Sequence, residues 1–346
     1  MRSAIPTRAS SNFRTFMDPL SHVLFGRTLI ALDRRRRLGP GSVAACALGA
    51  IAPDADAIIT LKGWDVYLRV HQIGTHTLIG SVVVASGVAL LLHQLHRGSR
   101  YLPLVFAASV GALSHLLFDV FSGAIVKPGW PFFQGSLSVP LVAMADPWLI
   151  AICVTGAVAL RLGRRNMATI AGGVLVTIGS FLAIKFALMA TALPQWATAR
   201  GPDPIVSYAV EAGWGSLTEW NVFDRTPSAL RKWRVNALGE NATLSFSWSP
   251  RPESPIVAAS GALDTVQNFM RVHELGFALS APLEHGETRV LWSDIRYCRP
   301  GTDTTALSGS PPVCALWFGG TFDRAGRPLT QIVLVGQWRQ IRPAGQ

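Results

Sequence analysis

Charge is scarce in this chain: 15% of its 346 residues are Asp, Glu, Lys or Arg, against a mean hydropathy of +0.33. So little charge excludes an ordinary soluble surface over most of the chain and points to a membrane protein. Acidic residues are fewer than basic ones, giving a net charge of +11. A basic excess can mark nucleic-acid binding, but here the arginines stand in short clusters between apolar segments. That is the pattern of cytoplasmic loops, and no nucleic-acid partner is expected. The four cysteines, Cys46, Cys153, Cys298 and Cys314, have no CxxC spacing, which excludes a zinc ribbon or a thiol redox motif. Cys46 and Cys153 fall in apolar stretches, as core or lipid-facing residues. There is no internal repeat and no low-complexity tract. Residues 1–16 lack an apolar run of signal-peptide length, so they read as a disordered extension, or as the result of a start assigned too early with Met17 the true one.

Long apolar stretches are what the chain has instead. Asp18 is a good N-cap and Pro19 suits the first helical position, so a short helix is expected at about 18–33. Further apolar stretches lie near 40–60, 77–96, 101–122, 147–162 and 168–193, each close to or below the ~20 residues that cross a bilayer. The first two are weak, one being short with Arg27 inside it and the other ending in PDAD. The expectation is an α-helical membrane bundle of about six helices over residues 17–194. After residue 194 tryptophans and prolines appear, followed by segments of strand character: ATLSFSWS (242–249), ETRVLWSDIRYC (287–298), and VCALWFGGTF with LTQIVLVGQW around the turn DRAGRP. Residues 195–346 therefore read as a small β-rich (α+β) soluble domain.

Arginines set the orientation. Arg34 to Arg37, then Arg97 and Arg100, then Arg161, Arg164 and Arg165 fall on one side of an up-and-down bundle, which the positive-inside rule makes cytoplasmic. The opposite face, together with the tail, then lies outside the cytoplasm, with the inner membrane of a bacterium as the location. Cys298 and Cys314 would stand in an oxidising compartment, either as a disulfide or as two buried thiols.

To that opposite face four segments deliver His22, Asp54, Asp56, His71, His76, His115 and Asp119. An ionisable group near a bilayer is costly and is usually retained for a job, so the seven form a candidate metal site. His115 and Asp119 stand four apart and stack on one helical face, as ligands or as a capping Asp beside an unrelated His. Asp54 and Asp56 sit where Pro53 breaks the helix, so a turn can aim both carboxylates at one cation; a solvated polar loop is the alternative. His71 comes from a loop and His76 opens the next helix, with Thr75 and Thr77 as second-sphere partners. Asp18, one turn before His22, can orient it or act as a ligand. His93, His96, His273 and His285 lie away from the set and read as structural or solvated.

DPLSHVLFG, GAIAPDADAI, HQIGTHTLIG and GALSHLLFDVFSG together resemble, in order and spacing, the blocks of the YdjM-like family, inner-membrane proteins described as metal-dependent hydrolases and also filed as a domain of unknown function. The resemblance covers about residues 17–150. DPW at 146–148, VFDRTPSA and SDIRYC resemble longer members with an extracytoplasmic domain. Gln72 stands where the family commonly has Arg, and Thr77 where it has Ser, so a guanidinium able to grip phosphate is missing there. The resemblance implies a distant similarity to zinc-dependent phospholipase C and related nucleases, whose helices hold several zinc ions in His/Asp sets.

Hydrolysis of a phosphoester, on a lipid or lipid-linked headgroup, is the resulting expectation. Mixed His and carboxylate ligands suit zinc, then manganese or iron, and about two ions would allow both attacking and leaving oxygens to be held. Asp54, Asp56 and Asp119 are the catalytic candidates, as ligands, bridges or general base. Two alternatives stand: a divalent-metal transporter or sensor, which would need polar residues through the bundle where only Lys185 and Arg27 lie at depth, and an inactive structural membrane protein. The oligomeric state is open.

Overall fold

Asp18 accepts hydrogen bonds from the backbone N–H groups of Leu20 and Ser21, with Pro19 at the first helical position, and α1 (Pro19–Ile30) starts there. The structure, a computed structural model, describes residues 18–33, 37–71, 73–96, 98–239, 241–249, 254–299 and 312–344. The expected N-terminal extension and start site, Arg34 to Arg36, Gln72 and Arg97 lie outside the described residues.

The expected second helix is not one rod. It divides into α2 (Ser42–Gly49) and a 3-10 segment, Pro53–Leu61, bent by 49°. Proline has no N–H to continue the α-helical ladder and clashes with the carbonyl one turn back, so the break falls at PDAD. A short helix absent from the sequence expectation follows, α3 (Trp64–His71), then α4 (Leu78–Leu95), α5 (Tyr101–Phe121), α6 (Pro147–Leu162) and α7 (Met167–Ala199). Helix α7 continues through Pro194, so the expected domain boundary falls inside it.

Among the described residues, α4, α5 and α7 are long and apolar enough to cross a membrane, and α2 with the 3-10 segment adds a fourth if the bent pair counts as one span. The expected six membrane helices are not reached: α1 and α6 have 12 and 16 residues, short of the ~20 that a bilayer requires.

Helices α2 and α5 meet along small residues, Ala45, Cys46 and Gly49 against Ala107, Ala108, Gly111 and Ala112. A Cβ at Gly49 would overlap the Ala108 carbonyl, and one at Gly111 the Cys46 carbonyl, so this backbone approach requires glycine. The arginine-bearing connections gather at one end of the bundle, where Arg100 donates to the Arg37 carbonyl (3.3 Å) and Ala31, Leu160 and Ala171 pack together.

Beyond α7 the chain is β-rich, as expected. An antiparallel sheet runs β1 (Ser207–Ala212), β2 (Glu219–Arg225), β3 (Leu230–Asn236), β4 (Thr243–Trp248). Two short helices, α8 (Pro255–Ser260) and α9 (Asp264–Met270), lead to β5 (Gly276–Pro282) and β6 (Thr288–Asp294). β7 (Cys298–Arg299) pairs with β8 (Val313–Cys314), where the Sγ atoms of Cys298 and Cys314 are bonded. β9 (Leu316–Phe322), β10 (Pro328–Val335) and β11 (Trp338–Pro343) complete a second antiparallel sheet ordered β11-β10-β9-β6-β5. Phe223, Leu230 and Trp248 of the first sheet pack with Phe277, Leu291, Trp317 and Ile332 of the second.

The tail is welded to the bundle. Asp224, fully buried, accepts from the indole N–H groups of Trp196 on α7 (2.8 Å) and Trp233 (2.7 Å) and from Arg231 (2.6 Å). Lys185, midway along α7, donates to the Ser216 and Leu217 carbonyls (3.1 and 3.3 Å) and lies over the Trp220 ring. A buried ammonium is tolerated when its protons are taken up in this way.

Candidate metal centre

The close packing of α2 on α5 brings the Ala50 carbonyl to His115. Ala50 caps α2, where carbonyls lack intrahelical donors, and accepts the Nδ1–H of His115 at 2.8 Å. With that proton on Nδ1, the lone pair of His115 sits on Nε2, and it points at His76 Nε2 only 3.2 Å away. His76 is fixed in a matching way: the Thr75 hydroxyl donates to Asp56 Oδ2 (2.7 Å), leaving its own lone pairs for the His76 Nδ1–H (3.0 Å). Two imidazole lone pairs that face each other repel unless a metal ion or a shared proton lies between them.

Carboxylates close the cage. Asp54 Oδ1 stands 3.3 Å from His76 Nε2 and 3.5 Å from His115 Nε2, and Asp119 Oδ2 stands 3.6 and 3.4 Å from the same two atoms. Ligands about 2.0–2.1 Å from a tetrahedral ion are about 3.3 Å from one another, so Asp54, His76 and His115 are spaced to hold one such ion, with Asp119 Oδ2 beside both imidazoles. Asp119 Oδ2 is buried without a hydrogen-bond partner, a cost that a bound cation would remove. His76, His115 and Asp119 are 3%, 0% and 1% exposed, whereas the Asp54 side chain is 29% exposed, so the cage opens past Asp54.

The other expected site residues take different places. Asp56 receives His71 Nδ1 at 3.0 Å to both oxygens and, with His71 and His76, forms a second set of metal-competent geometry that shares His76 with the first. His71 is the last residue of α3 and not part of a loop, because WDVYLRVH is amphipathic at helical period. His76 lies in the turn before α4 instead of opening it: Thr77 is the N-cap, its hydroxyl accepting from Gly80 N–H (2.9 Å) and donating to the Gly74 carbonyl (3.0 Å). Asp18 is occupied as the cap of α1. His22 joins neither set; its ring stacks on His115 (4.2 Å between centroids), its Nε2 is 4.0 Å from Asp119 Oδ1, and its Nδ1 is buried without a hydrogen-bond partner. It faces a small pocket that Asp119, Ser122, Val142 and Asp146 also line.

His93 bonds the Ser99 carbonyl and His273 the Phe269 carbonyl, both away from the cage, while His96 and His285 are exposed. The sequence expectation missed Tyr67, whose ring packs 4.5 Å from that of His71. Burial, and then the Asp56, Asp54 and Asp119 carboxylates, push its phenol far above the ordinary range, so it stays protonated. Its spacing of four before His71 in a helical octapeptide is the signal that could have found it.

Helices long and apolar enough to cross a membrane, a buried His/Asp cage, and a β-rich domain packed against them define a membrane protein with a candidate metal centre. The family profile described as YdjM inner membrane protein matches residues 17–192, more than half of the chain. The chain belongs to that family. It is also 27% identical over 143 residues to the uncharacterized protein YfhP of Bacillus subtilis, a match covering 38% of this chain and 43% of that protein. No solved structure matches the chain.

Proposed function

We propose that this protein is a membrane-bound metal-dependent hydrolase of a phosphoester, a lipid or lipid-linked headgroup being the substrate class. The observation that carries it is the convergence of Asp54 Oδ1, His76 Nε2 and His115 Nε2 at the spacing of ligands to one ion, with Asp119 Oδ2 beside both imidazoles and the Asp54 side open. Mixed imidazole and carboxylate donors suit zinc, and manganese or iron next. One ion fits the cage. A second would need Asp56 and His71 to release each other, and would share His76, whose neutral ring has a single lone pair. The bound ion would supply water acidified to a pKa of about 7 and charge for a phosphoryl oxygen.

The protein's own groups divide the remaining work. Asp54, Asp119, His76 and His115 hold the centre. Asp56 fixes His76 through Thr75 and accepts from His71, so it is the carboxylate available to move a proton near the opening. His22, stacked on His115, limits that ring's rotation and offers a further ligand beside Asp119 Oδ1. The bundle crosses the bacterial inner membrane, with the arginine end cytoplasmic and both the cage and the tail outside. Metal transport is less well supported, because Lys185 is occupied by tail carbonyls and offers no polar path through the helices.

The test is elemental analysis of detergent-purified protein followed by hydrolysis of phosphodiesters and phospholipids. About one tightly held ion per chain, activity lost to chelator and restored by metal, and no activity in Asp56→Ala protein that keeps its fold are expected. A metal-replete protein that hydrolyses nothing but moves divalent ions into liposomes would establish the transport function instead.

A further inference from the structure

Between Asp119 and Asp146 the chain carries one charged side chain, Lys127, and this stretch folds into a hairpin. Val126 and Leu137 exchange both backbone hydrogen bonds at its base, at 3.0 and 2.8 Å, and the N–H groups of Phe132 and Phe133 both bond the Gly129 carbonyl at its tip. That tip turn throws two aromatic rings outward: Phe132 and Phe133 are 75% and 73% exposed, and Leu137 is 54% exposed. Water is a poor partner for so much apolar surface on one short loop.

The hairpin hangs from the membrane boundary. The Pro128 carbonyl accepts the N–H of Leu78, the first residue of α4, a helix whose apolar window is only 22% buried within the protein. Leu78 itself is half exposed, so the lipid-facing side of α4 begins at the hairpin's point of attachment. Across the cage, the 3-10 segment that carries Asp54 exposes Ile58 (70%) and Leu61 (82%). Apolar side chains are thus exposed on two elements that adjoin cage residues in the chain, the hairpin anchored at Leu78 two residues after His76 and the 3-10 segment that carries Asp54. Aromatic rings with one basic neighbour and no carboxylate match the interface of an anionic bilayer.

We propose that the hairpin tip at residues 130–133 dips into the headgroup–acyl boundary of the leaflet on the side of the metal cage, and that the partner of this surface is the bilayer itself. The insertion stands whether or not the cage hydrolyses a phosphoester, since it depends on the placement of the hairpin and not on metal chemistry.

A polarity-sensitive fluorophore on Phe133→Cys, with Phe132→Cys as a second, independent position, tests this in full-length protein reconstituted into vesicles of phosphatidylethanolamine and phosphatidylglycerol. Cys46 and Cys153 are buried, and Leu329→Cys on β10 provides the aqueous reference. The tip probes are expected to be blue-shifted, shielded from iodide, and quenched by lipid-borne nitroxides at a depth of about 5–10 Å into the boundary, as for other interfacial apolar segments. The Leu329 probe should respond to iodide alone. Iodide quenching of the tip probes equal to that at Leu329 would overturn the insertion. So would shielding from both iodide and nitroxide that disappears as protein is diluted, because a second copy of the chain would then be the cover.

Discussion

Arg342, on the last strand of the tail, donates from Nη2 to Asp65 Oδ2 on α3 at 2.7 Å, across 277 residues of sequence. Asp65 is 1% exposed, and on the same helix Trp64 and Leu68 pack against Phe269, Leu316, Phe318 and Val333 of the tail. Helix α3 ends in His71, which bonds Asp56 beside the cage. The tail therefore holds one wall of the candidate metal centre from outside.

Arg342→Ala leaves the Asp65 carboxylate buried without its cation, and a loss of about 1–3 kcal/mol in stability is expected, the usual cost of orphaning a buried charge-assisted bond. Arg342→Ala with Asp65→Ala should cost less than the sum of the two single changes, the signature of a direct pair in a double-mutant cycle. Denaturant unfolding in detergent measures it. Strict additivity would mean that the pair contributes nothing and that α3 is held by its apolar face alone.

His115→Ala and Asp119→Ala should abolish stoichiometric metal, whereas His93→Ala and His273→Ala should leave it in place, as read by elemental analysis after reconstitution with zinc or manganese. Thr75→Val is the more discriminating change. It removes the hydroxyl that joins Asp56 to His76 and leaves every cage atom present, so a weakening of metal affinity of about 10–100-fold is expected, as for other residues that orient a ligand. An unchanged affinity would show that His76 keeps its ring orientation without help.

Gly111→Val touches no ligand. Its Cβ would overlap the Cys46 carbonyl, forcing α2 and α5 apart and taking the Ala50 carbonyl from His115. Metal content should fall together with thermal stability, and Gly172→Val, on α7 with open space around its Cβ, should change neither. Equal behaviour of the two variants would mean that the α2–α5 approach does not position the centre.

Much of this arrangement was legible in the sequence because it rests on local signals. Asp18-Pro19 marks the start of α1, Asp146-Pro147 does the same for α6, and the apolar lengths of α4 and α5 give those helices within a residue or two. The four-residue spacing of His115 and Asp119 placed them on one face. What sequence could not give was pairing at a distance. The helical nature of WDVYLRVH is weak locally, since an eight-residue helix is marginal by itself and forms here against the tail. Thr75 and Thr77 look equivalent around His76, yet backbone geometry makes one a relay to Asp56 and the other a helix cap. Strands β2 and β3 were missed because buried charge interrupts their alternation: Asp224 and Arg231 are unreadable as strand residues until their partnership is known.

Topology gives a separate test. A reporter that fluoresces only in the cytoplasm should stay dark when fused after Gln346, and an enzyme active only in the periplasm should work there. Protein made under oxidising conditions should show no free thiol at Cys298 and Cys314 unless it is reduced first. A bright cytoplasmic fusion would invert the orientation and put the cage inside the cell.

His273 supplies a pH dependence that does not involve the metal centre. It is 3% exposed, with Nδ1 on the Phe269 carbonyl and Nε2 3.3 Å from the Tyr297 hydroxyl, and burial holds its pKa down to about 4 although Asp294 nearby favours the charged form. In the unfolded chain the same ring titrates near ~6.5. Between those values the unfolded state binds more protons than the folded one, so stability is fully present above pH ~6.5 and is lost as pH falls toward 4. The loss is at most about 3.5 kcal/mol, since a tenfold difference in proton affinity between the two states corresponds to ~1.4 kcal/mol. Below that window Asp294 adds its own loss, because Arg296 holds its carboxyl below the ordinary range against the opposing effect of burial. His273→Gln keeps a donor for the Phe269 carbonyl and removes the titration, so its unfolding free energy should fall less steeply from pH 6.5 to 4 than that of the wild type. Parallel slopes for the two proteins would place the acid sensitivity elsewhere in the chain.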